Sequence, residues 1–280
     1  MFKPLSLALA GLLAATCAVP ATAQTTVDLV TGPVDFTTWS LLGDASARNL
    51  TPGNGFTYSL LELTQPGTGD QAGAAYAPEA LLFDFNQPFQ VDWVWSIPVI
   101  DGLRGDGFTF TLNTAQVLGG GGSSLGYENE DSTSSIALAI DTFDFGGVDE
   151  AISPSLQLLQ GGSITPLAAT ETGLGDGIRD PDFAWFGQLR YVPSGLEDHA
   201  GTLIGRIEHI NLGSFEVQAA VDFMALGMVD QLVYYGFTGA NGLATDGHTI
   251  QWGAPVPEPE TWALMGAGLA LLSLRRLRRH

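Results

Sequence analysis

Short segments with alternating apolar and polar residues are the feature that most constrains how this chain can fold. In segment 89–97 every second residue is large and apolar: Val91, Trp93, Trp95 and Ile97. Successive side chains of an extended strand point to opposite faces, so a period of two residues is that of a strand with one buried face. The segment therefore predicts a β-strand.

Similar segments recur along most of the chain. Six further strands are predicted, at 108–112, 136–140, 185–192, 203–207, 215–221 and 232–237. Only residues 219–226 have weak helical character. The chain has 36 glycines, which together with Pro, Asn and Asp separate these segments as turn residues do. Many short strands with frequent turns predict one all-β domain, an antiparallel β-sandwich or a barrel.

The first 23 residues have the pattern of a secretory signal peptide. Lys3 supplies the positive end, an apolar stretch follows, and Ala21-Thr22-Ala23 is a small-x-small cleavage site. The apolar stretch is much shorter than the ~20 residues that a membrane-spanning helix needs. A lipoprotein anchor at Cys17 is the alternative, although Thr16 is a poor residue to precede a lipidated cysteine.

Residues 255–280 end the chain with a second targeting pattern. A Pro-Glu-Pro sequence precedes the uncharged segment 261–274, and four arginines follow. An apolar segment followed by arginines predicts a transmembrane helix whose basic end stays in the cytoplasm. Fourteen residues span only ~21 Å of the ~30 Å hydrocarbon core, and arginine side chains that reach the interface can extend them.

This tail resembles the PEP-CTERM sorting signal. The matching motif residues are Val256, Pro257, Glu258 and Pro259. The resemblance implies that an exosortase-type membrane protease cuts near the motif. It also implies an exported protein of a Gram-negative bacterium that makes exopolysaccharide, sorted to the cell envelope, the cell surface or the extracellular matrix.

The body between the two targeting segments, residues 24–254, is strongly acidic. Without the charged residues of the two ends it has 28 acidic and five basic residues, a formal charge near −23. Such a surface repels nucleic acid and anionic lipid headgroups, and favours cations, neutral ligands or basic partners. Cys17, the one cysteine, precedes the body, which excludes disulfides, thiol catalysis and cysteine zinc sites there.

The body lacks the motifs of a catalytic site. Its three histidines are His199, His209 and His248, and none lies in a hydrolase or metalloprotease motif. A glycoside hydrolase would need two carboxylates on either side of the scissile bond. The acids Glu128, Glu130 and Asp131 lie in a polar segment typical of a solvated turn. We therefore expect a protein that is not an enzyme.

Three features remain as candidates for ligand binding. Asp106 lies in a Gly-Asp-Gly turn directly before a predicted strand. The glycine-rich segment 118–127 can bring backbone N–H groups close to a ligand. Asp141, Asp144 and Asp149 follow the strand 136–140 and offer the oxygen ligands that a hard cation needs.

In this order the three features resemble the L-type (legume-type) lectin family. The resemblance runs from about residue 34 to 253 and implies a jelly-roll sandwich of the concanavalin A type. It makes Asp106 the sugar-binding aspartate, with a cis peptide bond between Gly105 and Asp106. A backbone N–H of Gly121 or Gly122 would meet the sugar, and Tyr127 would either stack on the sugar ring or lie in the core.

The chain departs from this family at the metal site. Asp141-Thr142 matches the family's metal loop, but Ala139 replaces a glutamate ligand, the loop asparagine is missing, and residues 152–160 contain no histidine. The transition-metal site is therefore expected to be lost. A Ca²⁺ site built from Asp141, Asp144 and Asp149 is the expected cofactor site that remains.

These observations predict an exported, non-catalytic carbohydrate-binding protein whose partner is a glycan or exopolysaccharide. The alternative is a structural protein of the matrix or cell surface that keeps the lectin fold without binding sugar. The missing metal ligands are the reason for keeping this alternative open.

Overall fold

The computed structural model describes residues 27–28, 34–51, 57–98, 102–143, 152–180 and 184–251. The predicted signal peptide and the C-terminal sorting segment lie outside these residues. The strands are β1 (Val27–Asp28), β2 (Ser40–Gly43), β3 (Ser46–Leu50), β4 (Tyr58–Thr64), β5 (Ala72–Tyr76), β6 (Leu81–Leu82), β7 (Phe89–Ser96), β8 (Gly107–Asn113), β9 (Ser135–Asp141), β10 (Ser155–Gln160), β11 (Ala168–Glu171), β12 (Trp185–Pro193), β13 (Ala200–His209), β14 (Gly213–Asp222), β15 (Leu232–Ala240) and β16 (His248–Gln251). The helical elements are short 3₁₀ turns at Phe36–Thr38, Gly122–Ser124, Glu130–Ser132 and Gly175–Arg179.

The strands form two sheets that pack face to face as a sandwich. The first sheet has the order β14-β13-β12-β7-β16-β4-β3, and β1 pairs with β7. The second sheet has the order β11-β10-β9-β8-β15-β5-β2, and β6 pairs with β15. Every pair among the described residues is antiparallel except β1 with β7. The predicted all-β antiparallel sandwich is confirmed.

Aromatic side chains fill the space between the sheets. Trp93 of β7 stacks on Phe110 of β8, with ring centroids 5.0 Å apart, and so joins the two sheets. Trp95 stacks on Trp185 of β12 at 5.3 Å. Each such pair adds roughly 0.5–1.5 kcal/mol beyond the burial of its area. The two-residue period of β7 thus directs its tryptophans into the core, as the sequence predicts.

All seven predicted strands are present, most of them longer than predicted. The weak helical prediction for residues 219–226 is wrong. Residues 219–222 end β14, where Ala219 pairs with Leu203 of β13, and residues 223–227 form turns. Val217 and Val221 are buried two strand periods apart, and this alternation overrides the local helical propensity of the alanines.

The central strands of the second sheet are buried on both faces. Every residue of β8 and of β9 is buried. Their outer face is covered by a second, smaller core that contains Leu125, Tyr127, Ala137, Ala139 and Leu159. Two of these residues belong to the glycine-rich segment, which therefore folds back onto the second sheet. Within the described part of the chain, no helix is long and apolar enough to cross a membrane.

Candidate functional site

The candidate site lies where three strands of the second sheet end together. Gly107, the first residue of β8, pairs with Asp141 at the end of β9 and with Ala240 at the end of β15. Because β8 is antiparallel to both neighbours, its start meets their ends. The antiparallel register therefore gathers Asp106, Thr142 and Asn241 at one edge of the sandwich.

Asp106 is fixed by its backbone between these two neighbouring strands. Its N–H donates to the carbonyl of Ala240 at 3.2 Å, and its own carbonyl accepts from the N–H of Thr142 at 2.8 Å. The peptide bond between Gly105 and Asp106 is cis, as the resemblance implies. The side chain of Asp106 is 3% exposed, so the carboxylate lies at the floor of the site.

Two glycines lie directly against the carboxylate of Asp106. A β-carbon built on Gly242 would be 3.2 Å from Asp106 Oδ2, and one built on Gly122 would be 3.8 Å from the same atom. A β-carbon on Gly121 would meet no protein atom within 4 Å. Asp106 and Gly122, which the sequence predicted, thus come together, whereas Gly121 faces open space beside them.

The glycine-rich segment is held in a defined conformation. The N–H of Gly119 donates to the carbonyl of Gly126 at 2.7 Å, and the N–H of Gly126 donates to the carbonyl of Gly120 at 2.9 Å. A β-carbon on Gly126 would lie 2.9 Å from the carbonyl oxygen of Gly239, so only glycine allows the segment to lie this close to β15. Gly122 has a φ of +61°, which also favours glycine.

Tyr127 lies in the core, the second of the two positions considered for it. It is 2% exposed, and its hydroxyl is 2.8 Å from Ser135 Oγ and accepts from the N–H of Gly162 at 3.3 Å. Burial raises the pKa of Tyr127 to about 12. Its ring packs beneath the glycine-rich segment and cannot stack on a sugar from solvent, so the stacking role is wrong.

Asp141 is a buried carboxylate whose two oxygens both accept protein hydrogen bonds. Oδ1 accepts from the N–H of Phe143 at 3.1 Å, and Oδ2 accepts from Nε2 of Gln157 at 3.0 Å. Gln157 pairs with Ala139 across β9 and β10. Both oxygens of Asp141 are thus engaged by protein donors, and Ala139, where the resemblance implies a glutamate, offers no metal ligand. Asp144 and Asp149 lie outside the described residues, within which no group of three His, Cys, Asp or Glu side chains could hold a metal ion.

Arg104 and Arg179, which were not predicted from the sequence, lie next to the turn that contains Asp106. Arg179 donates from Nε to Oδ2 of Asp246 at 2.8 Å, and the same carboxylate oxygen accepts from the N–H of Gly105 at 3.1 Å. Arg104 donates from Nε to the carbonyl of Thr142 and from Nη2 to the carbonyl of Ser153 at 3.3 Å. Asp246 is fully buried, and this burial raises its pKa although Gly105 and Arg179 oppose the shift.

Asn241 fixes the last loop of the site, a role that was not predicted from the sequence. Its Oδ1 accepts from the N–H of Gln71 at 2.9 Å, and its Nδ2 donates to the carbonyls of Thr68 and Asp246 at 2.8 and 3.0 Å. These bonds set the direction of Gly242, the next residue. The Asn-Gly sequence after a strand was the signal available, since it is typical of a tight turn.

His209 and His248 are buried, whereas the three acids of the loop before β9 are exposed. His248 is fully buried, and its Nδ1 is 2.8 Å from Thr64 Oγ1. His209 is also buried, with Nε2 3.5 Å from Asp180 Oδ2. Glu128, Glu130 and Asp131 are exposed in the loop before β9, as expected for a solvated turn.

Comparison with known proteins identifies a sorting motif in the tail and structures with a similar fold. Residues 255–279 match the PEP-CTERM protein-sorting motif. No curated protein matches the chain. Among solved structures, basic winged bean lectin with Tn-antigen superposes with a TM-score of 0.59 at 21% identity, over 77% of this chain and 91% of that chain.

Two further lectins give the same result. Lectin I-B4 from Griffonia simplicifolia, in its metal-free form, has a TM-score of 0.60 at 15% identity over 77% of this chain and 91% of that chain. A Lotus tetragonolobus seed lectin has a TM-score of 0.60 at 16% identity over 79% of this chain and 93% of that chain. The chain therefore has the legume lectin fold and ends in a PEP-CTERM protein-sorting motif, a signal for export and sorting to the envelope of a Gram-negative cell.

Proposed function

We propose that this protein is an exported lectin that binds a neutral glycan or exopolysaccharide at the Asp106 site, without catalysis. One observation carries the proposal. The Asp106 carboxylate, Gly122 and Gly242 converge at one edge of the second sheet, where three strand ends meet. A buried carboxylate beside glycines is a strong hydrogen-bond acceptor that a ligand hydroxyl can approach closely.

Asp106 accepts hydrogen bonds from sugar hydroxyls in this proposal. A hydrogen bond to a charged group contributes roughly 1.5–3 kcal/mol, enough to define the orientation of a small ligand. A backbone N–H of Gly121 or Gly122 donates a hydrogen bond to the sugar in this proposal. The acidic body, near −23, disfavours anionic glycans and nucleic acid and leaves neutral sugars as the matching class.

Phe143 replaces Tyr127 as the aromatic side chain for stacking. It is half-buried, and a β-carbon built on Gly105 would lie 3.1 Å from its Cβ, so it lies next to the Asp106 turn. An aromatic ring can pack on the apolar face of a sugar. Phe143 directly follows the Asp141-Thr142 pair that the sequence singled out.

The solved neighbours suggest which sugars to test first. Their names report a Bauhinia forficata lectin in complex with GalNAc, lectin UEA-II complexed with galactose, and lectin I from Ulex europaeus in complex with the methyl glycoside of α-L-fucose. Calcium bound by Asp141, Asp144 and Asp149 remains a proposed cofactor. An exosortase and, through the C-terminal helix, the membrane remain proposed partners that bring the protein to the cell surface or the matrix.

The test is a glycan array probed with the full chain and with Asp106→Asn, which keeps the shape of the side chain and removes its charge. We expect saturable binding to a small set of neutral glycans and about a ten- to hundredfold loss in the variant. Asp131→Asn removes a charge from the neighbouring exposed loop and is the matched control. Equal binding by the wild type and Asp106→Asn would contradict the assignment of the site.

The second candidate is a structural protein of the matrix or cell surface that uses the lectin fold only as a scaffold. The hydrogen bond from Gln157 to Asp141 favours it, because the amide occupies an oxygen of the aspartate that the resemblance places in the metal loop. This candidate predicts an empty array together with self-association or capture of a protein partner. Array binding that Asp106→Asn abolishes would exclude it.

A further inference from the structure

We propose that Arg104 and Arg179 position the Asp106 turn, so that the site keeps its shape without a divalent cation. Both are positioning residues, because they act through the backbone of residues 102–106 and through Asp246. The effect on sugar binding rests on the proposed function, whereas the effect on the shape of the turn does not.

The first step of the argument is the contact between Arg179 and the turn. Asp246 Oδ2 accepts from Arg179 Nε at 2.8 Å and from the N–H of Gly105 at 3.1 Å. Arg179 Nη1 also donates to the carbonyl of Gly102 at 3.3 Å. One guanidinium therefore holds both ends of the segment that leads to Asp106, once directly and once through a buried carboxylate.

Arg104 makes the corresponding contacts on the other side of the turn. Its guanidinium donates to the carbonyls of Thr142 and Ser153, one residue at the end of β9 and the other just before β10. Thr142 in turn donates its N–H to the carbonyl of Asp106 at 2.8 Å. Arg104 thus connects the turn to Thr142 and Ser153, which lie before and after the segment that contains Asp144 and Asp149 in the sequence.

The two arginines share one acidic partner. Asp176 Oδ1 lies 3.3 Å from Arg104 Nη1 and 3.7 Å from Arg179 Nη1. The body has only five basic residues, and two of them, 75 positions apart in sequence, meet here. Their side chains are 20% and 9% exposed, so their charges are poorly solvated and act on nearby carbonyls.

The two arginines provide the positive charge that a bound cation provides in a metal site. A cation orders loops by attracting several oxygens to one point. Here the oxygens of Gly102, Thr142, Ser153, Asp176 and Asp246 are attracted by two planar guanidinium groups, each of which directs several donors. The expected consequence is a turn whose order depends on the arginines and not on calcium.

Hydrogen exchange of the full chain tests the inference without any sugar. The readout is the exchange of residues 102–107, whose amides include the Gly105 and Asp106 donors. We expect exchange unchanged by EDTA and about tenfold faster in Arg104→Gln, with β12–β14 still protected as proof of folding. Arg179→Lys keeps the charge but loses the simultaneous contacts with Asp246 and Gly102, and we expect a smaller increase in the exchange rate. The lysine avoids leaving the buried carboxylate of Asp246 without a cation.

Arg206→Gln is the matched control. It removes the same guanidinium from an exposed ion pair with Glu208 on β13, and we expect exchange at 102–107 to stay as in the wild type. Exchange at 102–107 that EDTA accelerates and Arg104→Gln does not would overturn the inference. Equal acceleration in Arg104→Gln and Arg206→Gln would also overturn it.

A binding arm separates this inference from the proposed function. Polymer conjugates of galactose, N-acetylgalactosamine and fucose are the probes. Binding that survives EDTA and falls about tenfold in Arg104→Gln supports both proposals. A wild type that binds none of the conjugates contradicts the proposed function for these sugars, while the exchange measurement still decides the role of the arginines.

Discussion

A β-carbon built on Gly242 would lie 3.2 Å from Oδ2 of Asp106, closer than most real contacts of this kind. The backbone of Gly242 does not have the positive φ that would itself exclude alanine. Gly242→Ala therefore adds a methyl group directly against the carboxylate. We expect about a tenfold or greater loss of glycan affinity with little change in melting temperature, measured on the array and by thermal unfolding.

Gly177→Ala is the control for this prediction. It adds the same methyl group where the nearest other atom is Leu174 Cβ at 3.9 Å, an ordinary contact. Its glycan binding and melting temperature are expected to match the wild type. Unchanged affinity in Gly242→Ala would mean that the ligand does not approach Asp106 from the side of this loop.

Phe143 is predicted to contribute to glycan affinity through its ring. Phe143→Leu keeps an apolar side chain and removes the aromatic face. We expect about a three- to tenfold loss of affinity, close to the ~1 kcal/mol of a typical aromatic contact, as measured by titration of the best array ligand.

Tyr127→Phe is the companion variant. It removes the buried hydroxyl that lies 2.8 Å from Ser135 Oγ and accepts from Gly162. We expect it to lower stability by ~1 kcal/mol and to leave affinity unchanged. If Tyr127→Phe lost affinity and Phe143→Leu kept it, the assignment of stacking to Phe143 and of a core position to Tyr127 would be refuted.

Calcium is predicted to stabilise the domain as a whole through Asp141, Asp144 and Asp149, whereas the local order of the Asp106 turn depends on the two arginines. A cation that binds only the folded state raises the melting temperature by mass action. The full chain should therefore melt higher in calcium than in EDTA, and Asp149→Asn should remove most of this difference. Asp131→Asn removes an exposed carboxylate outside the trio and is the control. Identical melting curves of the wild type in calcium and EDTA would dismiss the site.

The sequence predicted the strands well because their signal is local. The alternation at Val91, Trp93 and Trp95 depends only on neighbouring residues and reports which face is buried. Asp106 and Gly122 were also predicted, since a turn before a strand and a run of glycines are visible in the sequence. The resemblance to the lectin family indicated that these features belong to one site.

The rest of the site depends on contacts between distant parts of the chain. Gly242 is 136 positions from Asp106 and reaches it only because β15 is the antiparallel neighbour of β8. Arg104 and Arg179 have no motif, and their role follows from the register that brings β9, β10 and the Gly175–Arg179 turn together. Tyr127 was ambiguous because an aromatic beside glycines fits either a core or a sugar.

Gly187 is predicted to be essential for packing the first sheet. It lies opposite Trp93 in the β12–β7 register, and a β-carbon there would be 2.3 Å from Cε2 of the indole. Trp93 is buried and stacked on Phe110, so the ring has little room to move. Gly187→Ala should lower the free energy of unfolding by about 1–3 kcal/mol, measured by urea denaturation.

A double mutant distinguishes this clash from a general loss of strand flexibility. Trp93→Phe shortens the ring that the new methyl group would meet. The two substitutions together should cost less than the sum of the single costs, with a coupling of about 1 kcal/mol. Strict additivity would show that the methyl group does not contact Trp93.

His248 is predicted to make the fold sensitive to mild acid. Burial, and secondarily the charge of Arg179, lowers the pKa of His248 to about 3. The unfolded chain binds a proton near the ordinary pKa of about 6.5, whereas the folded protein does not. The contribution of His248 to stability is therefore complete above pH 6.5 and declines, by ~1.4 kcal/mol per pH unit, as the pH falls from 6.5 toward 3.

His248→Asn removes the titrating ring and keeps a polar atom near Thr64 Oγ1, the partner of Nδ1. We expect the variant to be less stable than the wild type at pH 8, where the difference measures packing alone. Between pH 6.5 and 4.5 its stability should fall less steeply, so that the two curves converge. Parallel curves over this range would show that His248 is protonated equally in the folded and the unfolded chain, and that folding does not lower its pKa.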